Sequence, residues 1–112
     1  MQVAVFSTKP YDRQFLDAAN AAAGASHELR FLEARLSPET AELARGAQAV
    51  CAFVNDRADA PVLEAFAGLG VRPRILTHLN NTNPALLDDS PERAHLDAQG
   101  WEVAWDGMEI AP

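Results

Sequence analysis

Short apolar runs that alternate with stretches of helical periodicity constrain this chain more than any other feature. Val3, Val5 and Phe6 open the first run, Gln2 to Ser7, which closes at the turn Thr8-Lys9-Pro10 and reads as a buried strand. From Asp12, a possible N-cap, the residues Phe15, Leu16, Ala18, Ala19 and Ala22 follow at helical spacing, with Gly24 as the stop. His27 to Leu32 alternates, Leu29 and Phe31 against Glu28 and Arg30, the pattern of an edge strand with one covered face. Ser37-Pro38-Glu39 predicts a short helix ending at Gly46, and Ala49 to Val54, apolar on both faces, predicts a central parallel strand with Cys51 in the core. Asp59 predicts a cap for a helix carrying Val62, Leu63, Phe66 and Leu69, closed by Gly70. Arg74 to Leu79 predicts a fourth strand, Ser90-Pro91-Glu92 a helix through Ala94, Leu96 and Ala98 to Gly100, and Trp101 to Trp105 a fifth strand. Met108 to Ile110 either extends that strand or adds an antiparallel one.

Five strands alternating with four short helices require a parallel sheet with right-handed crossovers. The compact solution is an α/β flavodoxin-like three-layer sandwich, a single domain over residues 1–112, with a mainly parallel sheet in the order 2-1-3-4-5. Its ligand crevice is expected at the carboxyl ends of the strands. Thr8, Asn55, His78 and Asn80 fall at that rim. Asn55-Asp56 ends the third strand, where a capping and turn role outweighs catalysis.

The 112 residues carry a net charge of −7, which argues against direct nucleic-acid binding because a phosphate backbone needs a basic face. Seven acids and one base, Arg93, fall in residues 88–112. No apolar stretch is long enough to span a bilayer, and the start Met1-Gln2-Val3 lacks the charged region and cleavage site of a signal peptide, so a cytoplasmic location is expected. The lone Cys51 excludes an internal disulfide and a Cys-rich zinc module.

Two family resemblances divide the chain near residues 72–74. Val3-Ala4-Val5-Phe6-Ser7-Thr8-Lys9-Pro10-Tyr11-Asp12, His27-Glu28-Leu29-Arg30-Phe31, Glu33-Ala34-Arg35-Leu36 and Ala49-Val50-Cys51-Ala52-Phe53-Val54-Asn55-Asp56 make residues 1–72 resemble the N-terminal substrate domain of fermentative D-lactate dehydrogenases, in the D-2-hydroxyacid dehydrogenase family. That resemblance implies a Gly-containing substrate loop after the next strand, and a separate Rossmann domain with the NAD site and the catalytic Arg, Glu and His. Residues 74–111 instead resemble the C-terminal end of the PqqB family of pyrroloquinoline quinone biosynthesis proteins, of the metallo-β-lactamase-like fold. Thr77-His78-Leu79-Asn80-Asn81-Thr82-Asn83-Pro84, Asp89-Ser90-Pro91-Glu92-Arg93-Ala94 and Gly100-Trp101-Glu102-Val103-Ala104-Trp105-Asp106-Gly107-Met108-Glu109-Ile110 carry it. The resemblance implies that His78 stands where that fold has its last metal ligand. The two together suggest a chimera or a generated sequence.

Neither catalytic inventory is complete. No G-x-G-x-x-G occurs, the β-α turn at Ser7-Thr8-Lys9-Pro10 lacks the glycines of a phosphate loop, and His27, His78 and His95 are the only histidines. His78 is the single candidate metal ligand, and no cofactor is expected. These absences, with the acidic tail, lead to the expectation of a non-catalytic acidic protein that neutralises a basic protein partner, antitoxin-like or anti-CRISPR-like, through Asp88, Asp89, Glu92, Asp97, Trp101 and Trp105. Trp101 and Trp105, two alternations apart, are expected on one sheet face. The alternatives are a fragment derived from D-lactate dehydrogenase with residual metal or 2-hydroxyacid binding at the crevice, or a scaffold without an evolved function.

Overall fold

The computed structural model describes residues 1–53, 55–70 and 74–109. Val54, the join at residues 71–73 and Ile110 therefore lie outside the described residues. The chain divides into two compact units, residues 1–71 and residues 72–111.

In the first unit, β1 (Gln2–Val5) lies between β2 (Glu28–Phe31) and β3 (Ala49–Cys51), parallel to both. Val5 is level with Phe31 on one side and Cys51 on the other. The central position explains why Ala4, Val5 and Phe6 are almost wholly buried; a side chain the size of Phe6 gains about 2–3 kcal/mol from that burial. Helix α1 (Pro10–Ala22) connects β1 to β2. It starts one turn earlier than Asp12 suggests. Lys9 is the N-cap and Pro10 the first helical residue, while the Asp12 carboxylate accepts from the Lys9 N–H at 2.9 Å, so Asp12 closes the first turn from inside. Gly24, at φ +87°, ends the helix. Asn20 then clamps the return to β2, its side chain donating to the His27 carbonyl at 2.7 Å and accepting from the His27 N–H.

Ser37-Pro38-Glu39 does not start a helix. Ser37 and Thr40 cap the turn reciprocally, the Ser37 N–H donating to Thr40 Oγ1 at 2.9 Å and the Thr40 N–H donating to Ser37 Oγ at 3.3 Å, but the chain does not continue as an α-helix. Only a 3-10 turn over Ala41–Ala44 forms there. Helix α2 (Ala60–Gly68) forms as expected: Asp59 caps it, and Val62, Leu63 and Phe66 are buried, with the helix packed on that 3-10 turn.

The second unit is one β-α-β crossover. Parallel strands β4 (Arg74–Leu76) and β5 (Trp101–Val103) pair Arg74 with Trp101 and Leu76 with Val103. They are linked by a 3-10 turn at Pro84–Leu86 and helix α3 (Pro91–Ala98). Ser90 caps α3 through its hydroxyl, which accepts from the Arg93 N–H at 3.0 Å. Leu96, Trp101 and Val103 supply the buried apolar surface.

Several expectations are corrected. The strands form two hydrogen-bonded sheets, β2-β1-β3 and β4-β5, instead of one continuous five-stranded sheet; the order within each piece agrees with 2-1-3-4-5. β3 and β4 are three residues each, too short to present a long ladder, and β3 borders its sheet. Val50 and Cys51 are accordingly exposed, not core. No residue of α1 is buried. Phe15 is 71% exposed, because the half-buried stripe runs through Asp12, Leu16 and Asn20 at spacing four. β4 ends at Leu76, so His78 lies past the strand in a left-handed bend at φ +56°. β5 ends at Val103 and Met108 N–H bonds back to the Trp105 carbonyl, so residues 104–109 turn and add no strand.

Candidate functional site

The carboxyl edge of the first sheet is built by one carboxylate. Beyond β1, Phe6 N–H donates to the Cys51 carbonyl, Ser7 N–H to Ala34 and Thr8 N–H to Leu32, each at 2.9 Å. Ser7 takes left-handed backbone at φ +54°, a conformation that costs a non-glycine residue about 1–2 kcal/mol. Asp56 offsets that strain. Its Oδ1 accepts from Ser7 Oγ at 2.6 Å and from Leu36 N–H at 3.1 Å, and its Oδ2 accepts from Phe53 N–H at 3.0 Å. The ends of β1 and β3 and the segment after β2 thus meet on one side chain, the turn role its position after β3 suggests.

Thr8 is buried, its hydroxyl donating to the Val5 carbonyl at 2.8 Å, so it supports the edge and offers no free donor to a ligand. The same bonds test the β1–α1 turn as a dinucleotide cradle. Ser7, Thr8 and Lys9 N–H groups all have protein acceptors, and no glycine among those whose surroundings are described meets a close neighbour that a Cβ would displace. The turn does not fit a pyrophosphate, which needs free N–H groups and close backbone approach.

Asn55 is exposed and lines an open groove of about 550 Å³ with Arg35, Leu36, Ser37, Pro38, Arg57, Asp59 and Val62. Sequence reasoning missed Arg35 and Arg57, which lie in the segments that follow β2 and β3. Cys51 lies on the open side of β3, and partial burial, with Asp12 and Asp56 adding negative charge, pushes its thiol above the ordinary range.

In the second unit, His78 and Asn80 are exposed, and the Asn80 side chain accepts from Thr82 N–H at 3.2 Å. Among the described residues no group of three or more His, Cys, Asp or Glu could hold a metal ion. Trp101 and Trp105 do not share a face: Trp101 is buried, whereas Trp105 lies past the strand and is 64% exposed. The acids form no uninterrupted patch either. Arg93, half-buried and donating to the Ala85 carbonyl at 2.7 Å, pairs with Asp88 at 2.9 Å and with Asp97 at 3.8 Å; Asp89 and Glu92 are exposed. Arg74, invisible as a feature of the sequence, is buried beside its cross-strand neighbour Trp101, its guanidinium carbon 5.8 Å from the ring centre and Nη2 donating to the Gln99 carbonyl at 2.6 Å. Among the described residues, no helix is long and apolar enough to cross a membrane.

The family model for the catalytic domain of D-isomer specific 2-hydroxyacid dehydrogenases matches residues 3–83. A 2-hydroxyacid dehydrogenase homolog from Zymomonas mobilis is 53% identical over 72 residues, 64% of this chain and 21% of that protein. The structure of Salmonella D-lactate dehydrogenase is similar over 92% of this chain and 29% of its own, at 36% identity and a TM-score of 0.66. A different segment matches the coenzyme PQQ synthesis protein B of Gluconacetobacter diazotrophicus, 54% identical over 52 residues, 46% of this chain and 17% of that protein. The chain therefore spans about a fifth of the curated relatives it matches. These likenesses overturn the expected antitoxin-like or anti-CRISPR-like inhibitor and the reading of the chain as generated. By the match over residues 3–83, the chain belongs to the D-isomer specific 2-hydroxyacid dehydrogenase family.

Proposed function

We propose that this chain acts as the substrate-domain portion of a D-2-hydroxyacid dehydrogenase, presenting the carboxyl edge of its sheet to a small 2-hydroxy or 2-oxo acid. The match of the family model over residues 3–83 carries this reading. The Asp56 turn supports it, because a binding edge has to be held rigidly and this carboxylate ties three segments together. In the first unit Asn55 remains a proposed ligand-facing residue and Thr8 becomes a positioning residue of the sheet edge; in the second, His78 and Asn80 remain exposed candidates. The finer architecture, one three-layer domain with strand order 2-1-3-4-5, belongs to the same proposal. It is supported by the observed pieces β2-β1-β3 and β4-β5 and by the likeness to D-lactate dehydrogenase over 92% of the chain. The β1–α1 turn does not fit a dinucleotide, so no hydride step is derived from these residues.

An exchange tests the proposal. Residues 1–83 replace the matching segment of the Zymomonas mobilis relative, and reduction of 2-oxo acids by NADH is followed. Retained turnover with a D-hydroxy acid product supports the substrate-domain role. A folded hybrid that binds NADH and reduces no 2-oxo acid refutes it.

A further inference from the structure

We propose that Asp106-Gly107, in the turn after β5, is a self-modification site at which the folded chain converts its own aspartate to isoaspartate through a cyclic imide. Asp106 is the only Asp or Asn of the sequence followed by glycine. The next residue supplies the attacking nitrogen in such a closure, and glycine has no side chain to hinder the approach or restrict the backbone rotation it requires. The turn is closed by Met108 N–H donating to the Trp105 carbonyl at 3.0 Å, with Gly107 at φ +86°. Asp106 and Gly107 are both exposed, and a Cβ at Gly107 would meet nothing within 4 Å, so a ring has room to form. Among the described residues the Asp106 carboxylate joins no ion pair and the Gly107 N–H makes no backbone hydrogen bond. Nucleophile and electrophile are therefore adjacent, untethered and in solvent, and the attack is intramolecular.

Other Asp and Asn residues lack one of these conditions. The Asp56 carboxylate accepts from Ser7, Leu36 and Phe53, and Asp59 caps α2. Asp88 and Asp97 pair with Arg93. After Asn55 and Asp89 it is the nitrogen that is held, Asp56 N–H by the Phe53 carbonyl and Ser90 N–H by the Leu87 carbonyl. Asn83 precedes Pro84, which has no N–H to lose.

The step needs only solvent. The Gly107 nitrogen bonds to the side-chain carboxyl carbon of Asp106, a C–O bond of that carboxyl breaks, and the oxygen leaves with the amide proton and a second proton as water. Water then adds to one of the two imide carbonyls and breaks its C–N bond. Opening at the side-chain carbon restores aspartate; opening at the backbone carbon leaves the chain running through the side chain, with a free α-carboxylate. Nothing is oxidised or reduced, and mass and charge end unchanged. The product backbone is longer by one carbon, so the Met108 to Trp105 bond loses its register.

The test is storage of the folded full chain at neutral pH and physiological temperature. Isoaspartate is located by electron-transfer fragmentation and counted by methyl transfer from S-adenosylmethionine with an isoaspartyl methyltransferase. It is expected to accumulate at Asp106 ahead of every other Asp and Asn, at a rate comparable with that of a peptide of residues 104–109, and hydroxylamine is expected to trap the imide at the same bond. Asp106→Glu, whose closure would need a larger ring, is expected to lose the signal. Asp106→Asn is expected to gain it faster, because ammonia replaces water as the leaving group. Both variants change an exposed side chain, and unchanged thermal unfolding confirms that each folds. Absence of isoaspartate at Asp106 in the folded chain, an equal signal at Asp89, or a signal retained in Asp106→Glu overturns the proposal. The readout uses neither NADH nor turnover, so its failure is distinct from failure of the exchange experiment.

Discussion

Ser7 concentrates in one residue the conflict between backbone preference and tertiary need. It holds left-handed backbone and donates to Asp56 at 2.6 Å. Ser7→Ala keeps the strain and loses the charge-assisted bond, so unfolding free energy should fall by about 1–3 kcal/mol. Ser7→Gly loses the same bond but relieves the strain, and its urea midpoint should fall less; equal losses for the two variants would show that the φ is not strained. Cys51 gives a pH signature. Its thiol pKa is raised by partial burial and then by Asp12 and Asp56, so the folded state holds the proton more tightly than the unfolded chain. That contribution is fully present below the unfolded thiol pKa and is lost as pH rises through the folded one. Urea midpoints across the alkaline range should therefore drop more steeply for the wild type than for Cys51→Ala, and parallel curves would contradict the shift. A turn at Asn55-Asp56 was legible from its place after an apolar run, though not that Asp56 alone would hold it. The groove arginines were not, because nothing local shows which arginines will line the groove.

Among elements, identical letters had different outcomes. Ser90-Pro91-Glu92 starts α3, with the Ser90 hydroxyl accepting from the Arg93 N–H. Ser37-Pro38-Glu39 carries the same hydroxyl cap, Ser37 Oγ accepting from the Thr40 N–H, yet yields only a turn and a 3-10 segment. A cap motif thus closes a first turn without deciding how far the helix runs. Helix α1 shows the same limit for periodicity: the spacing of Phe15, Leu16 and Ala19 defines an apolar stripe, yet the half-buried line is Asp12-Leu16-Asn20. Leu16→Ala should cost about 1–2 kcal/mol, below the range for a fully buried leucine, whereas Phe15→Ala should stay within about 0.5 kcal/mol. Thermal unfolding of the two variants checks the order, and a larger loss at Phe15 would mean that its ring is covered.

Across the whole molecule, alternation of apolar runs with helical segments was enough to establish parallel strands joined by crossovers, because strands of one direction can be linked only by chain that returns over the sheet. Specific segments also identified two families over different stretches, and the 2-hydroxyacid dehydrogenase model extends to residue 83, past the join near residues 72–74. The inference from missing catalytic residues to a neutralising binder failed for a physical reason. Absent machinery describes what 112 residues contain, while the relatives are several times longer. Local sequence thus determined the order of the strands, their parallel pairing within each sheet and the caps of α2 and α3, all of which depend on near neighbours and side-chain period. Tertiary structure alone decided that β3 borders its sheet with Cys51 exposed, that Trp101 is buried while Trp105 is not, and that Arg35 and Arg57 line one groove. Burial and charge pairing depend on residues far apart in the chain, and no local pattern records which of them will meet.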